Sequence, residues 1–162
     1  MSLFGSRQDF LLMRKMNREL LRDIIEQQVG YYKFSLENTI ANIYGEALEK
    51  TFNDPLLINC LITRGDQVID VDEFGPDLNR DFSFAFLRDD LFDVALVPEV
   101  GDIIMYQEDY YEVDTVKENQ LLVGKDIQYN FGPRTDAYGS TISIICDAHL
   151  TRADKLGITQ VR

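Results

Sequence analysis

The sequence predicts a mainly β fold of the α+β kind, in which a small barrel or sandwich follows an N-terminal amphipathic helical arm. Three observations lead there. Val100 to Gly124 reads as apolar runs broken by short polar tips, the pattern of a meander of hairpins. Phe82, Phe84 and Phe86 alternate with Ser83, Ala85 and Leu87, which sets three rings on one face of a strand. Ahead of both, Phe10, Met13, Met16, Leu20, Ile24 and Gln28 recur at helical spacing.

The helix is expected over 7–29. Ser6 with Asp9 resembles a capping box, the shorter Asp standing in for Glu or Gln, and Gly30 is the expected stop. Leu21 and Ile25 join the apolar stripe, while Arg14, Arg18 and Arg22 stand at successive i,i+4 positions on the other side. Two placements stay open. The helix packs on its own barrel, or it is an arm whose stripe of Met13, Met16, Leu20 and Ile24 docks on a neighbouring subunit or ring. A long helix gains little unless its stripe is buried somewhere, and Met suits an imperfectly matched surface. The division is therefore an arm over 1–30 and a barrel domain over 31–162.

Tyr31 to Ala47 alternates aromatic and polar residues before a turn-like Tyr44-Gly45-Glu46, and Asn53-Asp54-Pro55 breaks local structure. Leu56 to Ile62 reads as a buried strand. Arg64 to Arg80, with Gly65, Gly75 and Pro76, is the longest candidate loop. A strand follows at 82–88, then an acidic stretch ending in Pro98. Gly101-Asp102 suits a tight turn, where Gly takes a positive φ and Asp bonds the backbone. Strands are expected at 102–106, 110–116 and 120–124, with tips at Gln107–Asp109 and Lys117–Asn119. In the middle one Tyr111, Val113 and Thr115 point one way and Glu112 and Asp114 the other, as in a half-buried sheet. After a second loop, Gln128 to Ser140, the closing strand at 141–149 carries Ile142, Ile144, Cys146 and Ala148 on one face, and a helical turn ends at Gly157.

The chain has 162 residues, 45% of them hydrophobic, which supports one ordinary core and argues against disorder. Its 28 acidic and 16 basic side chains give a net charge of −12, a poor match to DNA phosphates. The charge is uneven. Residues 1–33 hold six basic and four acidic side chains, which leaves ten basic and 24 acidic ones, net −14, on the rest. No signal-peptide core is visible, since Arg14 and Lys15 interrupt the apolar residues, and no run has the length of a membrane span. A protein made and used in a cytosol, or in something assembled there, is the expectation.

Chemistry finds little to work with. His149 is the only histidine, without a nucleophile setting beside it, and reads as a strand-end residue. Cys60 and Cys146 lie in apolar strand-like runs and read as buried free thiols; with one His they do not make a zinc site of recognised spacing. No Gly-rich phosphate loop is present. The acids Asp66, Asp70, Asp72, Glu73 and Asp77 match a calcium loop only in part: Gly75 is one position off and the closing Glu is missing. A solvated loop is the better reading. No cofactor and no catalytic residue are expected.

The GDII and YYEVD stretches, the later ENQLLVGKD, YYKFSLENTIANIYGEA (Tyr31 to Ala47) and LLINCLI (Leu56 to Ile62) together carry a resemblance. In order and spacing they resemble the short neck, or head–tail connector, protein of T-even-like myophages, including marine and cyanobacterial phages, over roughly Phe10 to Gly157. The GD-to-YEV hairpin is also similar to the small barrels of other phage head–tail joining proteins. The resemblance implies a virion structural protein of the head-completion or stopper type, assembled in the host cytoplasm. It would form a ring, hexameric in preference to dodecameric, between a portal-side connector protein and a tail terminator, and help retain the genome. DNA would pass the channel without specific binding, and acids lining it would repel the phosphates. Candidate lumen or intersubunit charges are Asp70, Asp72, Glu73, Arg88, Asp89 and Asp90; the arm's interface residues are Met13, Met16, Leu20, Ile24, Arg14, Arg18 and Arg22. The rivals are a metal-dependent enzyme built on the acidic loop 66–81 and a generic soluble interaction module.

Overall fold

A computed structural model of the chain describes residues 7–35, 39, 50–72, 75–121 and 141–151. The elements are α1 (Arg7–Glu19), a π-helical turn (Leu20–Ile25), β1 (Gln28–Tyr32), β2 (Leu56–Asp72), β3 (Gly75–Leu87), α2 (Arg88–Asp93), β4 (Ile103–Tyr106), β5 (Asp109–Leu121) and β6 (Thr141–Thr151). The six strands close into an antiparallel barrel in the order β1-β2-β3-β6-β5-β4, with β4 returning to β1. Closure is the all-β route to leaving no sheet edge unpaired, and a barrel this narrow is filled by its own side chains.

The core follows from strand alternation. Phe82, Phe84 and Phe86 point inward, as do Cys60 of β2, Tyr111 and Val113 of β5, and Ile144, Cys146 and Ala148 of β6. Tyr111 stands edge-on to Phe82 at 4.8 Å between ring centres, and Tyr31 meets Phe86 edge-on at 5.9 Å. Such edge-to-face pairs contribute about 0.5–1.5 kcal/mol beyond area burial.

Several elements differ from the sequence expectation, each for a physical reason. The helix stops at Glu26, which takes the left-handed conformation (φ 50°) and returns its N–H to Leu21 O, not at Gly30. Gly30 sits in β1 instead, where an added Cβ would press on the Met105 side chain at 3.3 Å. β1 itself was not anticipated. The segment expected to be a long loop, Arg64 to Arg80, is a two-stranded ribbon: β2 and β3 pair with each other as far as Asp72 and Gly75, well past the last β1 partner, Asn59, and the last β6 partner, Asp81. β5 runs through the expected tip at Lys117–Asn119, absorbing it as a register shift between Lys117 and Gln120. A bulge between Val113 and Thr115 turns Thr115 outward and returns Val116 to the core side, so the alternation read for this strand holds only to Val113. β2 is half-buried: Ile58 and Cys60 face in, while Leu57 and Leu61 are exposed. The Ser6 cap, the turn at Tyr44–Glu46, the loop at Gln128–Ser140, the last three residues of the strand expected at 120–124 and the turn ending at Gly157 lie outside the described residues.

Candidate functional site

The arm rests on its own barrel, and it does so with its basic side. α2 carries Asp89, Asp90 and Asp93 within one turn, the first two in its opening turn where the helix dipole favours acids. Arg14, Arg18 and Arg22 come down on them in order. Arg14 donates through Nε to Asp89 Oδ2 at 2.9 Å and through Nη2 to Oδ1. Arg18 Nη2 bonds Asp93, and its Nε lies 2.9 Å from Asp90 Oδ1 off the line of a hydrogen bond, an ionic contact. Arg22 reaches Asp90 Oδ1 at 2.7 Å and Asp93 Oδ2 at 3.5 Å. Partial burial works against the Arg18 charge, but the hydrogen bond to Asp93 and the field of Asp90 outweigh it, so its pKa is raised. Each partly exposed pair contributes about 0.2–1 kcal/mol, and three in register fix an orientation more than they add stability.

The consequence is an inverted amphipathic helix. Leu12, Met13, Met16, Leu20 and Ile24 lie opposite the arginines and are 45–74% exposed. Among the described side chains of the arm only Leu21 is buried, in the π-helical turn that ends the arm against β2. Of the predicted interface residues, the structure thus separates two groups: the arginines are occupied by their own chain, and Met13, Met16, Leu20 and Ile24 are open. Asp89 and Asp90 face the arm of the same copy. Arg88 opens α2 and is partly buried. Asp70 and Asp72 fall on β2, in the ribbon; their side chains and Glu73 lie outside the described residues.

A second exposed apolar stretch begins in the last turn of α2 and continues past it. Phe92, Val94, Val97 and Val100 are 40–66% exposed, on a segment held from below by Leu91, Leu96 and Asp102. Asp102 is wholly buried and fully used. Its Oδ2 accepts from Tyr31 Oη at 2.6 Å, Glu99 N at 2.9 Å and Lys33 Nζ at 3.1 Å, and its Oδ1 accepts from Phe34 N at 2.9 Å. Lys33 also bonds Val97 O at 2.8 Å and Glu99 Oε2 at 2.9 Å. Gly101 beside it has φ +90° with open space around a notional Cβ, so the backbone conformation sets the residue, as the sequence suggested. Burial, then the Asp102 bond, pushes the Tyr31 phenol well up. This clasp ties the end of β1 to the turn before β4 and props up the patch.

On the barrel's outer wall, His149 Nδ1 lies 2.8 Å from Asp114 Oδ1, and Asp147 accepts from Ser83 Oγ at 2.6 Å and Thr115 Oγ1 at 3.0 Å. The Lys117 ammonium, then Ser83, hold the Asp147 carboxyl below its usual range. The bulge presents Asp114 to His149, so this side chain is a strand-face residue within hydrogen-bond distance of a carboxylate. Burial pushes both thiols, Cys60 and Cys146, up to about 12; they are buried and free.

The residues missed from sequence are Asp93, Lys33 and the exposed valines. The spacing of Asp89, Asp90 and Asp93 matches one helical turn and was the available signal for the first.

Comparison with known proteins bears on the fold. No family model matches the chain, and no curated protein matches it. A solved structure, a chain in the virion of a native gene transfer agent particle, is similar: TM-score 0.52 at 12% identity, over 78% of this chain and 96% of that one. At that identity the likeness is one of architecture. Among the described residues no helix is long and apolar enough to cross a membrane.

Proposed function

We propose that the protein is a structural component of a phage-like virion, and within it a neck protein of the head-completion or stopper type. It forms a ring that joins the portal of the DNA-filled capsid to the tail and helps retain the genome. The observation that carries this reading is the arm: three ion pairs hold it with its apolar stripe facing away from the body, which is a surface for assembly. The fold likeness to a chain of a gene transfer agent virion supports the virion setting, and the sequence resemblance to myophage neck proteins supports the neck. A hexameric ring is favoured over a dodecamer, with a portal-side connector protein and a tail terminator as neighbours. The net charge of −12 suits a channel that DNA passes without adhering, and the role needs no catalytic step or cofactor.

The test is a virion assembled without this chain. Filled heads and free tails that fail to join, with the join restored by adding the purified protein, are expected. Tailed, genome-retaining particles in its absence would overturn the reading.

A further inference from the structure

Resting on the ring reading, we infer that the joint between copies is heterologous: the apolar stripe of one arm seats on the Phe92–Val100 patch of the next copy. Leu12, Met13, Met16, Leu20 and Ile24 together present on the order of 500 Å² of apolar surface, as much as the largest patch on a typical monomer. With Phe92, Val94, Val97 and Val100 facing it, the apolar part alone comes to roughly 900 Å², approaching a specific interface before any polar rim is added.

Charge selects the class of partner. Arg14, Arg18 and Arg22 point at Asp89, Asp90 and Asp93, so the arm turns an apolar face outward and keeps its arginines for its own body. A chain of net −12 with these three arginines engaged by its own carboxylates is poorly suited to offer the arm to nucleic acid or an anionic lipid surface. An apolar protein surface fits, and this chain carries one.

Geometry selects the seat. The clamp turns the stripe away from its own α2, so a copy cannot cover its own patch. Among the described residues, Leu56, Leu57 and Leu61 of β2 are the exposed large apolar side chains outside the arm and the patch, and they lie on the strand that the chain's own π-helical turn already packs against. A stripe-on-stripe contact would close at two copies and leave the patch bare. A stripe-on-patch contact gives every copy one donor and one acceptor, which is the requirement for a ring.

Two variants at exposed positions, Leu20→Asp and Val97→Asp, test this on the full chain, with thermal melts confirming that each stays folded. Native mass spectrometry should show rings for the unaltered protein and monomers for each variant alone. Mixed one to one, the variants should give heterodimers and nothing larger, because only one joint per pair is intact. Rings that survive Val97→Asp but not Leu20→Asp would overturn the seat. Unaltered protein that stays monomeric at high concentration would overturn the joint altogether, while leaving the virion reading to its own test. Conversely, rings that form as described but are not needed to join heads to tails would overturn the virion role and leave the joint standing.

Discussion

The barrel wall and the arm use the same kind of pattern and place it in opposite ways. Along β3, Phe82, Phe84 and Phe86 alternate and all three point into the core. Along α1 and the π-helical turn that continues it, Leu12, Met16, Leu20 and Ile24 recur every four residues and all four are exposed. Periodicity identifies which side chains share a face. The direction of that face is decided by what opposes it. For β3 the opposing wall supplies Tyr111 and Tyr31-backed rings; for the arm the body supplies three carboxylates, which attract the other side of the helix.

The sharpest way to break the comparison is to truncate both faces. Phe84→Ala removes a ring from a closed core and should cost about 3–5 kcal/mol in denaturant unfolding. Leu20→Ala should stay within about 0.5 kcal/mol for the dilute monomer, since its side chain is already half in water. Equal losses at the two positions would mean the arm stripe is part of the same core.

The polar contacts divide in the same way. Asp102→Asn leaves Lys33 without its buried partner and should cost about 3 kcal/mol, on the scale of a broken buried ion pair. A loss under about 1 kcal/mol in the same unfolding experiment would show that the clasp only decorates the turn. Arg14→Ala, on the partly exposed clamp, should cost about 1 kcal/mol or less and show instead as faster proteolysis of residues 7–25.

A smaller effect separates the interior from the surface by pH. Cys60 and Cys146 have raised pKa values in the folded state, so their contribution is full below the unfolded thiol pKa near 8.5 and is lost as pH climbs toward about 12. Each thiol should cost about 1.4 kcal/mol per pH unit in that window. Between about pH 8.5 and 10, before the phenols of the unfolded chain titrate, Cys146→Ala should flatten the alkaline slope by about half; an unchanged slope would place the Cys146 thiol in contact with water.

Much of this fold is legible in the residues themselves. Phe82–Phe86 and Ile144–Ala148 announce their inward faces, and Gly101-Asp102 announces a turn with a capped backbone. What was not legible depends on partners distant in sequence. β1 is five residues long and hides behind the end of the helix, where Gly30 looks like a stop; its real constraint is Met105, which only the closed barrel brings near. The ribbon at 64–80 carries Gly65, Gly75, Pro76 and a run of acids, all of them loop signals, and it is a strand pair because each half has the other. Leu56–Ile62 looks buried on both sides because apolar content does not report that one wall of a barrel faces outward. The site divides likewise: both stripes of the arm could be read from spacing, but not that Asp89, Asp90 and Asp93 of the same chain would claim the arginines.

The central claim is that the clamp holds the arm's apolar stripe outward until another copy covers it. A single cysteine at position 20 measures this directly, because the two native thiols are buried and protonated near neutral pH. Leu20→Cys should react with a thiol reagent rapidly in dilute protein and become protected as concentration drives assembly. Protection at every concentration would mean that the stripe folds onto its own barrel, and the account of the arm would be wrong.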